Sequence, residues 1–344
     1  VKQTDDGTKL AYTYHKDGRY QVYVVDVQTG KEKKIISGGY SVNGQKIDET
    51  LPLIDWQDNE TLGVLLYKRG HLYLNAYNTN TGASFQKPLT RFRQVESFAY
   101  NDNGRLAVIS GDIDGQNDLF LVSMRRNALR RITNDIYDDL DPVFVPGTAG
   151  IVFSSNRKYD SVKVSNPKLK DITDNFNLFA YDLDTTTTSF YRITNTFSVD
   201  RKPIAKNQHE IYYLSDQKGI SNLYKYDILD STFVQISSFQ YAIQDYDLSF
   251  NDQNELSFIM LNGGRQTLYS LSNYDLSRTV FTPQNARKRL QQAQYVVSRL
   301  PRNKPELNNK PEKFDFEAIR QKCVPRGPPP KVKFQDEAVL FKTV

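Results

Sequence analysis

The residues best placed to hold an ion lie in Gly-Asp-Ile-Asp-Gly-Gln-Asn-Asp at 111–118. Asp112, Asp114, Gln116 and Asp118 set oxygen ligands at alternate positions around a central glycine, the pattern of a calcium loop. The stretch lacks the bidentate glutamate that closes an EF-hand, and no helical pattern flanks it, so a hairpin turn accounts for the same residues. Calcium is therefore the one cofactor considered, and none is required. A second acidic run, Asn134–Asp141, holds Asp135, Asp138 and Asp139, which could give a surface a negative patch. Its last member, Asp141, precedes Pro142 and reads as a turn cap. Lys163, Lys168 and Lys170 form a basic stretch beside Asp171 and Asp174 within 158–176. Asp135, Asp138, Asp139 and these three lysines are the candidate partner-binding residues.

Catalytic chemistry finds little support. His15, His71 and His209 are widely separated and fall at turns or strand ends. No G-x-S-x-G elbow occurs, so a serine peptidase domain of that type is not encoded here. Cys323 has no histidine near it in sequence and cannot form an internal disulfide, being the sole cysteine. The aspartates sit mostly in turns, and no pair stands out as a glycosidase dyad. No glycine-rich phosphate loop follows a strand and precedes a helix. Trp56 lies in Leu-Ile-Asp-Trp-Gln-Asp, without the surroundings of a sialidase box. The expectation is a protein that is not an enzyme.

The elements that carry these residues repeat. A strand with a central aromatic recurs as QVYVVDV (21–27), HLYLNAY (71–77), DLFLVSM (118–124), NLFAYDL (177–183), NLYKYDI (222–228) and TLYSLSN (267–273). The aromatics Tyr23, Tyr73, Phe120, Phe179, Tyr224 and Tyr269 are spaced by 50, 47, 59, 45 and 45 residues. Each copy alternates in period two, as a strand with one buried face does. A cluster such as Asp5-Asp6-Gly7 or Asn101–Gly104 precedes each copy, and an apolar strand such as KLAYTY or GIVFSS follows the cluster. Such turn residues tolerate the positive φ of tight hairpins. A unit of four short antiparallel strands cannot bury both faces alone, whereas stacking around an axis buries them. The predicted fold is all-β, a six-bladed β-propeller of four-stranded antiparallel blades over residues 1–282. The 59-residue interval carries an insertion of about 14 residues at 158–176, a long loop of the kind that carries function on a rigid scaffold.

Ile132–Arg157 (ITNDIYDDLDPVFVPGTAGIVFSSNR) resembles the repeat of TolB-like propellers, which runs T…D…P-x-F-S-P-D-G-x-x-I-x-F-x-S-N-R. Ser215–Asp227 (SDQKGISNLYKYD) is similar to its second half. The likeness spans 1–282 and weakens in the second unit, where YKRGHLYLNAY lacks the serine and the acidic turn. The resemblance implies a six-bladed ring and, commonly, the bacterial envelope or periplasm. It also extends to propellers that shield peptidases and to propellers fused to outer-membrane barrels.

Beyond 282 the period changes. Ala286, Leu290, Ala293, Val297 and Leu300 form one stripe of an amphipathic helix over 283–300, with Pro283 early and Pro301 as its stop. Residues 301–344 are rich in proline and read as a basic extended linker or arm. Residues 283–344 hold 14 Lys and Arg against 6 Asp and Glu, leaving 31 basic and 34 acidic residues in 1–282. A near-neutral ring argues against nucleic acid as a partner. No apolar run reaches transmembrane length, and membrane association is expected only through a neighbouring domain or partner. Val1 as first residue fits a fragment or a processed chain. The functional expectation is a non-catalytic scaffold for protein partners in the cell envelope. The alternatives are the accessory propeller of a larger peptidase or outer-membrane-barrel protein, and a glycosidase or lyase with its site in the channel.

Overall fold

The computed structural model describes residues 1–39, 51–164, 168–185, 188–299 and 340–343. Its strands form six sheets, each of four antiparallel strands in sequence order. The first blade is β1 (Lys2–Gln3), β2 (Lys9–Lys16), β3 (Arg19–Asp26) and β4 (Glu32–Gly39). The second is β5 (Leu53–Trp56), β6 (Thr61–Lys68), β7 (His71–Asn78) and β8 (Ser84–Pro88). The third is β9 (Gln94–Tyr100), β10 (Leu106–Asp112), β11 (Asn117–Ser123) and β12 (Leu129–Arg131). The fourth is β13 (Asp139–Phe144), β14 (Gly150–Arg157), β15 (Ile172–Asp182) and β16 (Tyr191–Arg192). The fifth is β17 (Asp200–Ala205), β18 (Glu210–Ser215), β19 (Asn222–Asp227) and β20 (Thr232–Gln235). The sixth is β21 (Ile243–Ser249), β22 (Glu255–Asn262), β23 (Arg265–Leu271) and β24 (Leu340–Thr343). The all-β six-bladed propeller anticipated from the repeats is the fold observed.

Every recurring aromatic lies on the third strand of its blade. In four blades it pairs in register with an aromatic of the second strand: Tyr12 with Tyr23, Phe153 with Phe179, Tyr213 with Tyr224, and Phe258 with Tyr269. Their ring centroids lie 5.4–5.9 Å apart. Blades two and three place Leu66 and Ile109 opposite the aromatic instead. These side chains fill the seams between blades, because the apolar clusters each join two neighbours. One cluster combines Leu65 and Leu74 with Phe98 and Phe120 across blades two and three. Another combines Leu10, Tyr12 and Val25 of the first blade with Leu268 of the sixth, closing the ring.

Two features differ from the sequence reading. The sixth blade does not complete itself within 1–282. Residues 272–285 climb the side of blade five instead, burying Tyr274, Leu276 and Val280. There the Val280 N–H donates to the Gln235 carbonyl (2.8 Å) and the Tyr274 hydroxyl to that of Ile236 (2.7 Å). The outer edge of β23 is thereby left to β24, from the segment read as an extended arm. Helix α1 (Ala286–Arg299) forms where expected, but it starts three residues after Pro283 and is capped by Asn285, whose Oδ1 accepts from the Lys288 N–H (2.8 Å). Its apolar stripe faces away from the ring, with Leu290 63% exposed. Val297, Leu300 and Pro301 lie outside the described side chains, as does Cys323. No helix among the described residues is long and apolar enough to cross a membrane.

If the seams carry the stability, Phe258→Ala, which empties a fully buried ring position between blades five and six, should lower the unfolding free energy by about 3–5 kcal/mol. Phe85→Ala on the outer strand of blade two, 60% exposed, should change it by less than about 0.5 kcal/mol. Urea denaturation of both variants checks the contrast, and equal losses would contradict this placement of the core.

Candidate functional site

The first strands of the six blades surround a central channel. The connections between blades open on the same rim as the hairpins between second and third strands, and so do the described parts of the insertion, 158–164 and 168–176. On that rim the channel mouth is a cavity of about 400 Å³, lined by His15, Glu96, Asp141, Arg201, Lys202 and Asp245 among others. The opposite mouth is a second cavity of about 400 Å³, lined by Asp5, Asp55, Asp58, Asp102 and Asp247. Lys2, Val143 and Ile204 border both.

Four charged groups at the rim mouth pair with one another across blades. Asp141 of blade four accepts from the Arg201 Nε and from the Lys202 N–H (3.1 Å) of blade five. Lys202 in turn reaches Asp245 of blade six. Asp141 and Lys202 both adopt left-handed backbone conformations, φ 51° and 54°. The inner strands slip register beside each of them, between Leu140 and Val143 and between Arg201 and Ile204. Asp141 is thus a link between blades rather than the turn cap anticipated. Burial would raise its pKa, but Arg201 and Lys202 hold it below the usual carboxylate range. Deeper in the channel one ammonium serves two carboxylates, with Lys2 Nζ 3.4 Å from Asp55 and 3.9 Å from Asp247. Burial pushes Asp247 up to about 6 despite Lys2, and raises Asp55 in the same way. Lys2 itself overcomes burial through Asp247 and Asp55 and is held above the ordinary lysine value.

The acidic candidates fold into a buried cluster in the seam of blades three and four. Asp118, Asp135 and Asp139 bring carboxylate oxygens within 4.8 Å of one another. The cation at their centre is Arg157, fully buried. Its Nη2 lies 2.6 and 2.7 Å from the two oxygens of Asp139, and its Nη1 lies 3.3 Å from Asp135. Its guanidinium packs over Phe190 (4.3 Å to the centroid) and against the rings of Tyr137, Phe153 and Phe179. Arg131 bonds Asp118 and also Asp114 (2.9 Å). Asp135 and Asp139 are therefore internal ion-pair partners and not the open surface patch that the sequence suggested. Asp138 is partly buried and takes bonds from Asn117 and Asn156. Of the calcium candidates, Asp112 receives the Gly115 N–H within its own turn, and Asp114 and Asp118 converge on Arg131. The carboxylates of Asp112, Asp114 and Asp118 do not share a centre; Gln116 lies in the turn joining β10 and β11.

Burial raises Asp118 to about 6 despite Arg131. Burial and the neighbouring Asp139 raise Asp135 to about 6 despite Arg157. The counterpart of Asp139 in blade five, Asp200, lacks an arginine and is satisfied by hydroxyls of Thr196, Ser198 and Ser215. Serine and threonine donors thus replace the cation where the repeat has lost it.

The basic candidates do stand on the surface. Lys163, Lys168 and Lys170 are exposed on the insertion. Its base is fixed by Asp171, which bonds Lys158 and the Lys168 N–H, and by Arg192 on Asp160 and on the Lys158 carbonyl. His15 bonds the Leu51 carbonyl (2.7 Å) at the mouth; His71 and His209 are exposed in other blades. The channel residues Lys2, Asp55, Arg201, Lys202, Asp245 and Asp247 were missed as site candidates. The repeat gives one usable signal for them. Asp141-Pro142-Val143 and Lys202-Pro203-Ile204 are equivalent positions with opposite charges.

No protein-family profile matches the chain, and no curated protein matches it. Solved structures do. TolB from Acinetobacter baumannii superposes with a TM-score of 0.58 at 14% identity, over 78% of this chain and 62% of that one. A TolB of Agrobacterium tumefaciens gives 0.56 at 13%, over 75% and 86%. An oligogalacturonate lyase of Vibrio parahaemolyticus gives 0.51 at 13%, over 83% and 76%. The chain therefore spans less than two thirds of the Acinetobacter protein. At these identities the shared property is the fold, which in this chain is a TolB-like six-bladed β-propeller, and the structural neighbours include a protein named as a lyase.

Two expectations follow. Arg157→Met strands Asp135 and Asp139 and should cost about 3–5 kcal/mol of stability by urea denaturation; a neutral effect would contradict the ion-pair assignment. Asp118, Asp135 and Asp247 have folded pKa values near 6, above an unfolded value near 4. The folded state therefore binds more protons between them, and stability should rise as pH falls from 7.5 through 6 toward 4. The change should be on the order of 2–3 kcal/mol for each of the three groups, and Asp135→Asn should remove about a third of it. Unfolding free energy that falls steadily from pH 7.5 to 5 would contradict the shifts.

Proposed function

We propose that this chain is a non-catalytic propeller that binds a protein partner on the rim carrying the insertion and the mouth at Arg201 and Lys202. The observation that carries the reading is the pairing at that mouth. Four of its charged groups, Asp141, Arg201, Lys202 and Asp245, neutralise one another across three blades, where general acid–base work needs a couple free to exchange protons with a substrate. Mutually paired charges on a rigid ring, beside three exposed lysines on a pinned loop, suit recognition of a complementary surface. The rim would take an acidic or mixed-charge segment, with the lysines accelerating encounter. Placement in the periplasm or envelope rests on the resemblance to TolB-like propellers.

Affinity capture from an envelope fraction tests the proposal. The chain should retain a stable protein partner, and K163E/K168E/K170E, which touches only exposed side chains, should cut capture about tenfold or more. Capture of no stable partner, or equal capture by the triple variant, would count against it. Turnover of an oligosaccharide by the purified chain, lost on Asp141→Asn, would favour a channel enzyme instead.

A further inference from the structure

Helix α1 is attached to the ring by its polar side. Lys288, 4% exposed, donates from Nζ to Asp216 (2.8 Å). The Asn285 N–H donates to the Lys218 carbonyl (3.1 Å). Asn285 also fills the space where a Cβ on Gly219 would stand, at 2.0 Å, and Gly219 has φ +95°. That position therefore requires glycine for close approach. Tyr295 packs on Phe197 with centroids 4.1 Å apart. At 3.6 residues per turn, Lys288, Gln292 and Tyr295 share one side of the helix, and Ala286, Leu290 and Ala293 lie about 180° away. All three of these small or apolar residues are exposed. Arg287 and Arg289 flank that stripe, one on each side, and are exposed as well. The chain has no Asp or Glu between Leu276 and Arg299.

We propose that this outward face of α1 is a docking surface for an anionic lipid surface. An exposed apolar stripe with an arginine on either flank is the arrangement of a helix lying in the plane of a membrane interface. Leu290 would enter the boundary of the acyl chains, while Arg287 and Arg289 would meet headgroup phosphates on both sides at once. Phe281, just ahead of the helix, is 81% exposed. The Lys218 ammonium lies 5.4 Å from its ring centroid, which adds a second pair of apolar and cationic groups beside the helix. The absence of acidic side chains along the segment is what selects this occupant. An anionic surface attracts every charge the helix presents, with no carboxylate on the segment to oppose it. A second copy of this chain would instead bring arginine against arginine if the faces met.

Co-sedimentation of the full chain with vesicles is the test. Binding to phosphatidylcholine vesicles containing phosphatidylglycerol should exceed binding to pure phosphatidylcholine about tenfold or more, and should weaken with added salt. Leu290→Asp leaves the basic segment beyond the helix untouched and alters only an exposed position. It should reduce binding about tenfold, with an unchanged thermal melt. R287E/R289E should abolish the preference for phosphatidylglycerol. No binding to the anionic vesicles, or binding that Leu290→Asp leaves unchanged, would overturn the proposal. So would concentration-dependent dimerisation that Leu290→Asp removes, without vesicle binding.

Discussion

The structure depends on one contact repeated around the ring, the pairing of a second-strand side chain with the third-strand aromatic of the same blade. An isolated four-stranded sheet would leave such rings in water. Packed against the next blade, they form the seams that hold neighbours together, and the seam between the sixth and first blades closes the circle. The channel is a consequence of that packing, since the inner strands are held apart by side chains of fixed size. Where aromatics are lost opposite Tyr73 and Phe120, aliphatic Leu66 and Ile109 fill the same role.

Charge inside the ring follows a second rule: the buried aspartates of the blade seams are matched by a cation or by hydroxyls. Arg157 pairs with Asp135 and Asp139 and Arg131 with Asp118 between blades three and four, and serine and threonine hydroxyls surround Asp200 one blade on. Across the rim mouth, Asp141, Arg201, Lys202 and Asp245 link three blades. These pairs tie blades by geometry that an apolar seam lacks, because a charge left alone there would be costly. They also leave the mouth with a fixed pattern of charge.

The strands, the six-blade count and the position of the insertion were legible because period-two alternation and a recurring aromatic are local signals. The fate of individual acids was not. Asp135 and Asp138 look alike in sequence, yet one faces Arg157 inside the seam and the other Asn156 and Asn117 nearer the surface. That difference is set by a partner more than twenty residues away. The channel lining was hidden for a similar reason, since its residues come from inner strands roughly 45 residues apart. The outer strand of blade six was missed because a proline-rich composition hid four residues that complete a sheet. The helix stripe was legible, but its direction was not, because Lys288 and Asn285 decide which side meets the ring.

Hydrogen exchange of the chain, with and without an envelope protein captured on it, tests the central claim most directly. The account predicts new protection at the insertion hairpin and at the inner-strand starts around Arg201–Pro203, with the opposite mouth at Asp58 and Asp102 unchanged. Protection confined to that opposite mouth, or none on either rim, would contradict it.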